Sequence, residues 1–347
     1  MKKWGLFLML FAMLAVPMLA CGFPLPAGSS MMAVSKAVCA EGEAADSCQA
    51  RQDAYQMMSK LQAVVVEGLD MALVVDDGTT VTNAIVTGSF EYQVAEATEG
   101  LGANLRAKLE QGEMTADTGD VSLSNTEFII VGNKGYTSRD GGETWVYEEL
   151  DANALLGLGL LLGIGGVTGA GLDLFSDPAI FTVTAGADVE MGGQTMHVQT
   201  LTLDLAKLLS NGEALAAMME TGFAASGESL GLSQEDLGGV DAAQIAMMSA
   251  MLLPVFTGSE FSTTIYIGAD DGYIHRVEDT YLLNMDMSSM GQEGKITMSY
   301  ILSGDITQHN APLAITAPED ASEGAGLLGE EGGLFGGGLG GSVFGGQ

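Results

Sequence analysis

Basic residues are scarce in this sequence: 12 Lys and Arg stand against 45 Asp and Glu in 347 residues, a formal net charge of −33. A surface with this charge repels a phosphate backbone, so ordinary nucleic-acid binding is excluded. Aromatic residues are also few, at 6%, although hydrophobic residues make up 47%. This combination fits neither a disordered acidic chain nor a multi-span membrane protein. We therefore expect a secreted or globular chain with a substantial core.

Cysteine is equally scarce, with three residues in the whole chain. Residues 1–20 contain two lysines, an apolar run and a small-residue cleavage site, which is the pattern of a secretory signal peptide. Cys21 follows Met18-Leu19-Ala20 directly, and this resembles the lipobox of bacterial lipoproteins. The resemblance implies that Cys21 is diacylated and becomes the mature N-terminus. Plain cleavage after Ala20, with a soluble product, is the alternative.

The other two cysteines, Cys39 and Cys48, form the only remaining pair if Cys21 is acylated. In an oxidising compartment a disulfide between them contributes about 2–3 kcal/mol on the chain-entropy model. Two free thiols are the alternative, and the absence of CxxC spacing argues against a metal site. Residues 21–46 combine Pro, Gly, Ser and acidic residues, which predicts a flexible tether after the lipidation site.

The body of the chain begins with a predicted helix from Ser47 to about Glu67, in which apolar side chains recur at intervals of three and four. Short β-branched stretches follow. Asp-Gly pairs at 77–78, 140–141 and 271–272 separate them and are typical of hairpins. Because most neighbouring strands lack a helix between them, we predict an antiparallel, meandering sheet. The clearest alternation places four apolar residues on one face of the last long strand: Ile296, Met298, Tyr300 and Leu302.

Two apolar segments interrupt the strands. Residues 152–172 carry no charge and seven glycines, which favours a buried or lid-like segment over a membrane span. Residues 241–253 predict a helix that is apolar nearly all round. Methionine is abundant, with 21 residues, and thioethers adapt to irregular apolar shapes. Ordinary core packing or contact with an apolar ligand both explain these segments. The candidate lipid-binding residues in them are Leu160, Leu161, Ile164, Met247, Met248 and Met251. The four apolar residues of the last long strand are the other candidates: Ile296, Met298, Tyr300 and Leu302.

Catalytic and cofactor patterns are weak. The string Gly227–Gly231 matches GxSxG, but the residues before Ser229 lack the strand that a nucleophile elbow requires. The three histidines have no zinc-type spacing, and no dinucleotide or P-loop pattern is present. We therefore expect no enzyme activity, no cofactor and no metal. Residues 321–347 are rich in glycine and predict a flexible tail, which leaves 47–320 as the folded domain.

Several stretches resemble the LppX/LprG lipoprotein family in their order along the chain. GNKGYTSRDGGETWVYEEL at 132–150 is similar to that family's Tyr/Trp hairpin, and the stretch 174–209 is similar to the strand that follows an apolar segment. GADDGYIHRVEDTYLLNMDM and ITMSYILSGDITQHNAPLAITAPEDA resemble its C-terminal part. The residues that fall on comparable places are Gly135, Tyr136, Trp145, Gly193, His197, Asn310 and Pro318.

The resemblance implies an α+β fold of the LolA/LppX type, a curved antiparallel half-barrel covered by helices on its concave face. It also implies a cavity for acyl chains and no catalytic residue. The leading hypothesis is a membrane-anchored extracytoplasmic lipoprotein that binds or carries a lipid or other apolar ligand. The alternative is a surface lipoprotein that acts as a scaffold, adhesion module or envelope sensor. Under both hypotheses the protein contacts the membrane through its N-terminal lipid, and no protein partner is indicated.

Overall fold

The computed structural model describes residues 38–76, 78–95, 103–116, 119–150, 178–211, 250, 253–286 and 294–324. Two helices and fourteen strands have defined bounds there. The helices are α1 (Ala45–Met58) and α2 (Leu205–Ser210). The strands are β1 (Ala63–Asp76), β2 (Val81–Val94), β3 (Ala103–Ala116), β4 (Gly119–Ser122), β5 (Thr126–Val131), β6 (Lys134–Ser138), β7 (Val146–Glu149), β8 (Phe181–Ala185), β9 (Val189–Met191), β10 (Gln194–Leu203), β11 (Glu260–Gly268), β12 (Ile274–Asp286), β13 (Lys295–Thr307) and β14 (Ser322–Glu323).

All fourteen strands belong to one sheet. Its order is β14-β7-β6-β5-β3-β2-β1-β13-β12-β11-β10-β8, with β4 paired to β3 and β9 paired to β10. Neighbouring strands are antiparallel, as predicted, except that β14 pairs with β7 in parallel. The path ends at β14 on one side and at β8 on the other, so the sheet is open. A large open antiparallel sheet with few helices agrees with the half-barrel that the family resemblance implies.

The predicted Asp-Gly turns lie between paired strands. Gly78, Gly141 and Gly272 all have positive φ, at 82°, 75° and 71°. This left-handed conformation costs a glycine nothing, whereas a Cβ disfavours it. These turns join strands that pair with each other, so they help to set the register of each hairpin and therefore which residues share a face.

One face of the sheet carries the core. In β13 the even-numbered residues from Met298 to Ile306 are buried, and the odd-numbered residues face the other side. The register continues this face across the sheet. One row of paired residues crosses six strands: Leu201, Thr263, Asp279, Leu302, Met71 and Val86. All six are less than 9% exposed, so the buried face is continuous from β10 to β2.

Helix α1 ends earlier than the sequence predicted. It spans Ala45–Met58, and β1 already begins at Ala63, whereas the predicted helix extended to about Glu67. The consecutive β-branched residues Val64, Val65 and Val66 favour a strand over the end of a helix, and they pair with β2 and β13. The helix packs against β11 and β12. Its buried residues are Cys48, Arg51, Ala54 and Met58.

The predicted domain boundaries differ slightly from the observed packing. Residues 38–44 were assigned to the tether, yet Ala40 is buried and the backbone N–H of Glu41 donates to the carbonyl of Pro178. At the other end, Ser322 and Glu323 form β14, just beyond the boundary predicted at 320. The cover predicted from the apolar segment 152–172 and the helix 241–253 lies outside the described residues, apart from positions 250 and 253. Within the described ranges, no helix combines the length and hydropathy that a membrane span needs.

Candidate functional site

A polar cluster lies on the apolar face of the sheet, where β11, β12 and β13 run side by side. Asp279 in β12 pairs with Thr263 in β11 and with Leu302 in β13. Tyr281 lies two residues further along β12 and pairs with Tyr300. Because side chains two residues apart in a strand point to the same face, all these side chains project into the core. The Asp279 side chain is fully buried.

Hydrogen bonds satisfy only part of this cluster. The hydroxyl of Thr263 donates to Oδ1 of Asp279 at 2.6 Å, and it lies 3.4 Å from the hydroxyl of Tyr281. The rings of Tyr281 and Tyr300 are stacked, with centroids 5.6 Å apart and planes 12° from parallel. Within the described part of the chain, Oδ2 of Asp279 and the hydroxyl of Tyr300 have no hydrogen-bond partner. The site therefore contains one free acceptor and one free hydroxyl in an apolar setting.

Burial changes the protonation of both groups. Loss of solvation raises the pKa of Asp279 from its ordinary 3.8 to about 7, against the opposing effect of hydrogen bonds from Thr263 and Tyr281. Burial also raises the pKa of Tyr300, and the negative charge of Asp279 raises that pKa further. Tyr300 is therefore a neutral hydroxyl at physiological pH. A carboxyl group that titrates near neutral pH is uncommon in a structural core and is frequent at functional sites.

The structure places four of the ten predicted lipid-binding residues on this face. Met298, Tyr300 and Leu302 are buried, at 7%, 4% and 2% exposure, and Ile296 is half-buried beside them. Their alternation with Thr297 and Ser299 is as predicted. The remaining predictions fall outside the described residues: the lipidation site Cys21, and the lipid-binding candidates Leu160, Leu161, Ile164, Met247, Met248 and Met251.

A second cluster surrounds the start of α1. Cys39 and Cys48 form the predicted disulfide, with their Cα atoms 5.3 Å apart. The side chain of Arg51 in the same helix is fully buried. Its Nη2 donates to Oε2 of Glu43 at 2.6 Å and to the carbonyl of Val38 at 3.0 Å. Glu43 also lies close to both sulfurs, but the disulfide leaves no thiolate there to bind a metal ion.

Sequence reasoning missed Asp279 and Arg51. For Asp279 a signal was present, since it falls on the same parity as Val277, Tyr281 and Leu283 in β12. For Arg51, the spacing from Cys48 and to Ala54 places it on the buried stripe of α1. Neither was predicted as a site residue, since Asp and Arg side chains are rarely buried.

Each of the three histidines has a hydrogen-bond partner in the described part of the chain. His197 pairs with Asp188, His275 with Asp271, and Nε2 of His309 donates to the carbonyl of Ile274. Burial lowers the pKa of His309, which favours the neutral ring. Ser229 of the GxSxG string lies outside the described residues.

Three of the residues on which the family resemblance rests have local structural roles. The Asn310 side chain accepts a hydrogen bond from the backbone N–H of Gln62 at 2.7 Å, and the Asn310 backbone N–H donates to the carbonyl of Ala63. These contacts fix the end of β13 to the start of β1. The indole of Trp145 donates to the carbonyl of Gly142 and closes the turn between β6 and β7. Gly135 lies against Leu150, where a Cβ would be 2.9 Å from two Leu150 carbons.

Comparison with solved structures gives similar folds. LprF from Mycobacterium bovis is 15% identical, with 78% of this chain and 95% of LprF covered and a TM-score of 0.33. The lipoprotein LppX from Mycobacterium tuberculosis is 10% identical, with 77% and 97% covered and a TM-score of 0.29. LppX belongs to the family that the sequence motifs resemble. No protein-family model and no curated protein matches the chain.

Proposed function

We propose that this protein is a membrane-anchored extracytoplasmic lipoprotein that binds a lipid or other apolar ligand. The ligand lies between the apolar face of the sheet and the segments that cover this face. Cys21 carries the lipid anchor and holds the protein on the extracytoplasmic side of the membrane. The protein binds or carries its ligand without chemical conversion, and it needs neither a metal ion nor a cofactor.

The extent of the apolar face carries this proposal. Helix α1 packs against β11 and β12. The guanidinium of Arg51 in this helix lies over the Phe181 ring of β8, and the backbone carbonyl of Ser47 accepts a hydrogen bond from Gln199 of β10. The apolar face continues well beyond these strands. Its buried side chains on β1, β2 and β3 include Leu69, Met71, Val86, Phe90, Tyr92, Leu105, Ala107 and Leu109. An acyl chain buried against such a surface gains about 0.8 kcal/mol per CH₂.

These side chains are less than 9% exposed, so the face is covered. Entry of an acyl chain therefore requires part of the cover to move. The apolar segments 152–172 and 241–253 are the proposed cover, with Leu160, Leu161, Ile164, Met247, Met248 and Met251 as the contacts. Native mass spectrometry of the purified protein tests the proposal, because a lipid that co-purifies with the protein adds a discrete mass.

The anchor is tested by Cys21→Ala. We expect this variant to move from the membrane fraction to the soluble fraction, because two acyl chains hold a protein stably at a bilayer whereas an unmodified N-terminus does not. Fractionation and labelling with an alkyne fatty acid measure the change. Ser29→Ala, in the same predicted tether, is the control and should remain in the membrane with its label. Equal membrane retention of the two variants would contradict the anchor.

The ligand surface is tested by adding bulk to either face of β13. Met298 is 7% exposed on the apolar face, whereas Ile301 is 50% exposed on the opposite face of the same strand. We expect Met298→Trp to weaken the binding of a fluorescent fatty-acyl probe about tenfold, which corresponds to about 1.4 kcal/mol. Ile301→Trp is the matched control and should bind the probe like the wild type.

Thermal unfolding of the same variants separates a ligand site from a packed core. Overpacking a solid core costs about 1–3 kcal/mol and can prevent folding. A movable cover tolerates the indole, so Met298→Trp should unfold close to the wild-type temperature. The same result is expected for Met248→Trp and Met251→Trp. Unfolded variants, or folded variants with normal probe binding, would favour a scaffold, adhesion or envelope-sensing role instead.

A further inference from the structure

The polar cluster on the apolar face contains two hydrogen-bonding atoms without partners. Asp279 is fully buried, and the Tyr300 side chain is 4% exposed. Thr263 and Tyr281 satisfy one side of the Asp279 carboxyl group, but Oδ2 stays free, as does the Tyr300 hydroxyl. Burial of an unpaired polar group is unfavourable, and most such groups in proteins have a partner. Two unpaired groups beside each other therefore indicate a missing partner.

The two groups are neighbours in the sheet. Asp279 pairs with Leu302, and Tyr300 lies two residues before Leu302 on the same face of β13. Diagonal neighbours of this kind lie within reach of aromatic side chains. The electrostatic effect of Asp279 on the pKa of Tyr300 agrees with this proximity.

We propose that Asp279 and Tyr300 bind a hydroxyl group of the apolar ligand, so that the ligand is an alcohol-bearing lipid rather than a plain hydrocarbon or ester. This inference rests on the proposed apolar-ligand function and specifies the ligand of the same face. A hydroxyl group donates to Oδ2 of Asp279 and accepts from the hydroxyl of Tyr300, and so satisfies both atoms. An ammonium group leaves the proton of the Tyr300 hydroxyl without an acceptor, and an ether or ester oxygen finds no donor at the ionised carboxylate of Asp279.

The surroundings favour a neutral group. The row through Asp279 is apolar on both sides, with Leu201 beyond Thr263 and Met71 beyond Leu302. Charged ligands lose their hydration in such a setting, and the described residues place no cation beside Asp279 to balance an anion. A hydroxyl group on a long chain needs only the two hydrogen bonds that the cluster offers.

Two matched probes test the proposal. Delipidated protein is titrated with hexadecanol and with hexadecyl methyl ether, and each probe's displacement of a fluorescent fatty-acyl reporter is measured. The two probes share a chain, but only hexadecanol donates a hydrogen bond. We expect the wild type to prefer hexadecanol about tenfold. If neither probe binds, the proposed apolar-ligand function fails; if both bind equally, that function stands and the hydroxyl site fails.

Three variants test whether the polar cluster causes the preference for hexadecanol. Tyr300→Phe removes only the free hydroxyl, and we expect it to abolish most of the preference while both probes still bind. Asp279→Asn retains an acceptor for Thr263 and should reduce the preference in the same direction. Tyr266→Phe is the control, because the Tyr266 hydroxyl donates to Glu278 on the opposite face of the sheet. It should leave the preference unchanged.

The unfolding temperature of the ligand-free Tyr300→Phe variant gives an independent readout. Without ligand, the Tyr300 hydroxyl makes no hydrogen bond within the protein. Its removal should therefore leave the melting temperature equal to or above that of the wild type. A lower melting temperature, or failure to fold, would show that the hydroxyl has an internal structural partner and would overturn the proposal. A full preference for hexadecanol in the Tyr300→Phe variant would also overturn it.

Discussion

Asp279→Asn is expected to stabilise the protein at neutral and alkaline pH and to have little effect in acid. Burial raises the pKa of Asp279 to about 7, whereas the unfolded chain has the ordinary value of 3.8. Below about pH 4 the carboxyl group is protonated in both states and costs little. As the pH rises from about 4 through 7, the unfolded state loses its proton first, and the wild type therefore loses stability.

The size of this effect follows from the pKa difference. Each pKa unit corresponds to about 1.4 kcal/mol, so the free energy of unfolding should fall by about 4 kcal/mol across this range in the wild type. Asparagine does not ionise, and Asp279→Asn should therefore lack this loss. Urea unfolding of both proteins at pH 4, 5.5, 7 and 8.5 measures the difference, which should grow with pH and level off above about pH 8.

Repulsion among the ionised acidic side chains also increases with pH, because the chain has a net charge of −33. A control for the loss of one negative charge is therefore needed. Asp70 lies in β1 with its side chain exposed. Asp70→Asn removes the same charge without burial, and we expect its effect on stability to change little with pH. Equal pH profiles for the two variants would contradict the assignment of the large effect to Asp279.

Local patterns allowed much of the sheet to be predicted. The alternation in β13 and the Asp-Gly turns depend on neighbouring residues alone, and both are present in the structure. The boundary between α1 and β1 was wrong because the spacing of apolar residues suits a helix until Val64, where pairing with β2 and β13 decides. Pairing between strands that are distant in sequence cannot be predicted from a short stretch of residues.

The polar cluster could be predicted only in part. The parity of β12 places Asp279 among apolar residues, but its hydrogen bond to Thr263 depends on the register of β11 against β12. That register is set by the turn around Gly272 and a bulge between Tyr266 and Ile267. The approach of Tyr300 requires the register of β13 as well. A site assembled from three strands emerges only when all pairings are known.

A second large effect is expected where α1 meets the residues before it. Arg51 is fully buried, and its partner Glu43 has a side chain only 1% exposed. The guanidinium also lies 5.7 Å from the centre of the Phe181 ring, and its Nε and Nη1 have no described hydrogen-bond partner. One carboxylate thus balances a buried cation. Oε2 of Glu43 also accepts a hydrogen bond from the backbone N–H of Ala40 at 2.8 Å.

We expect Glu43→Gln to lower the free energy of unfolding by about 3–5 kcal/mol, because it leaves the Arg51 charge buried without a counter-charge. The double variant Glu43→Gln with Arg51→Met should recover most of this loss, since it removes both charges and keeps an apolar chain against Phe181. Glu91→Gln breaks the half-exposed pair with Arg106 and should cost at most about 1 kcal/mol. Urea unfolding at constant pH compares the three variants. A loss as small as that of Glu91→Gln, or no recovery in the double variant, would mean that the ion pair does not hold residues 38–44 to the domain.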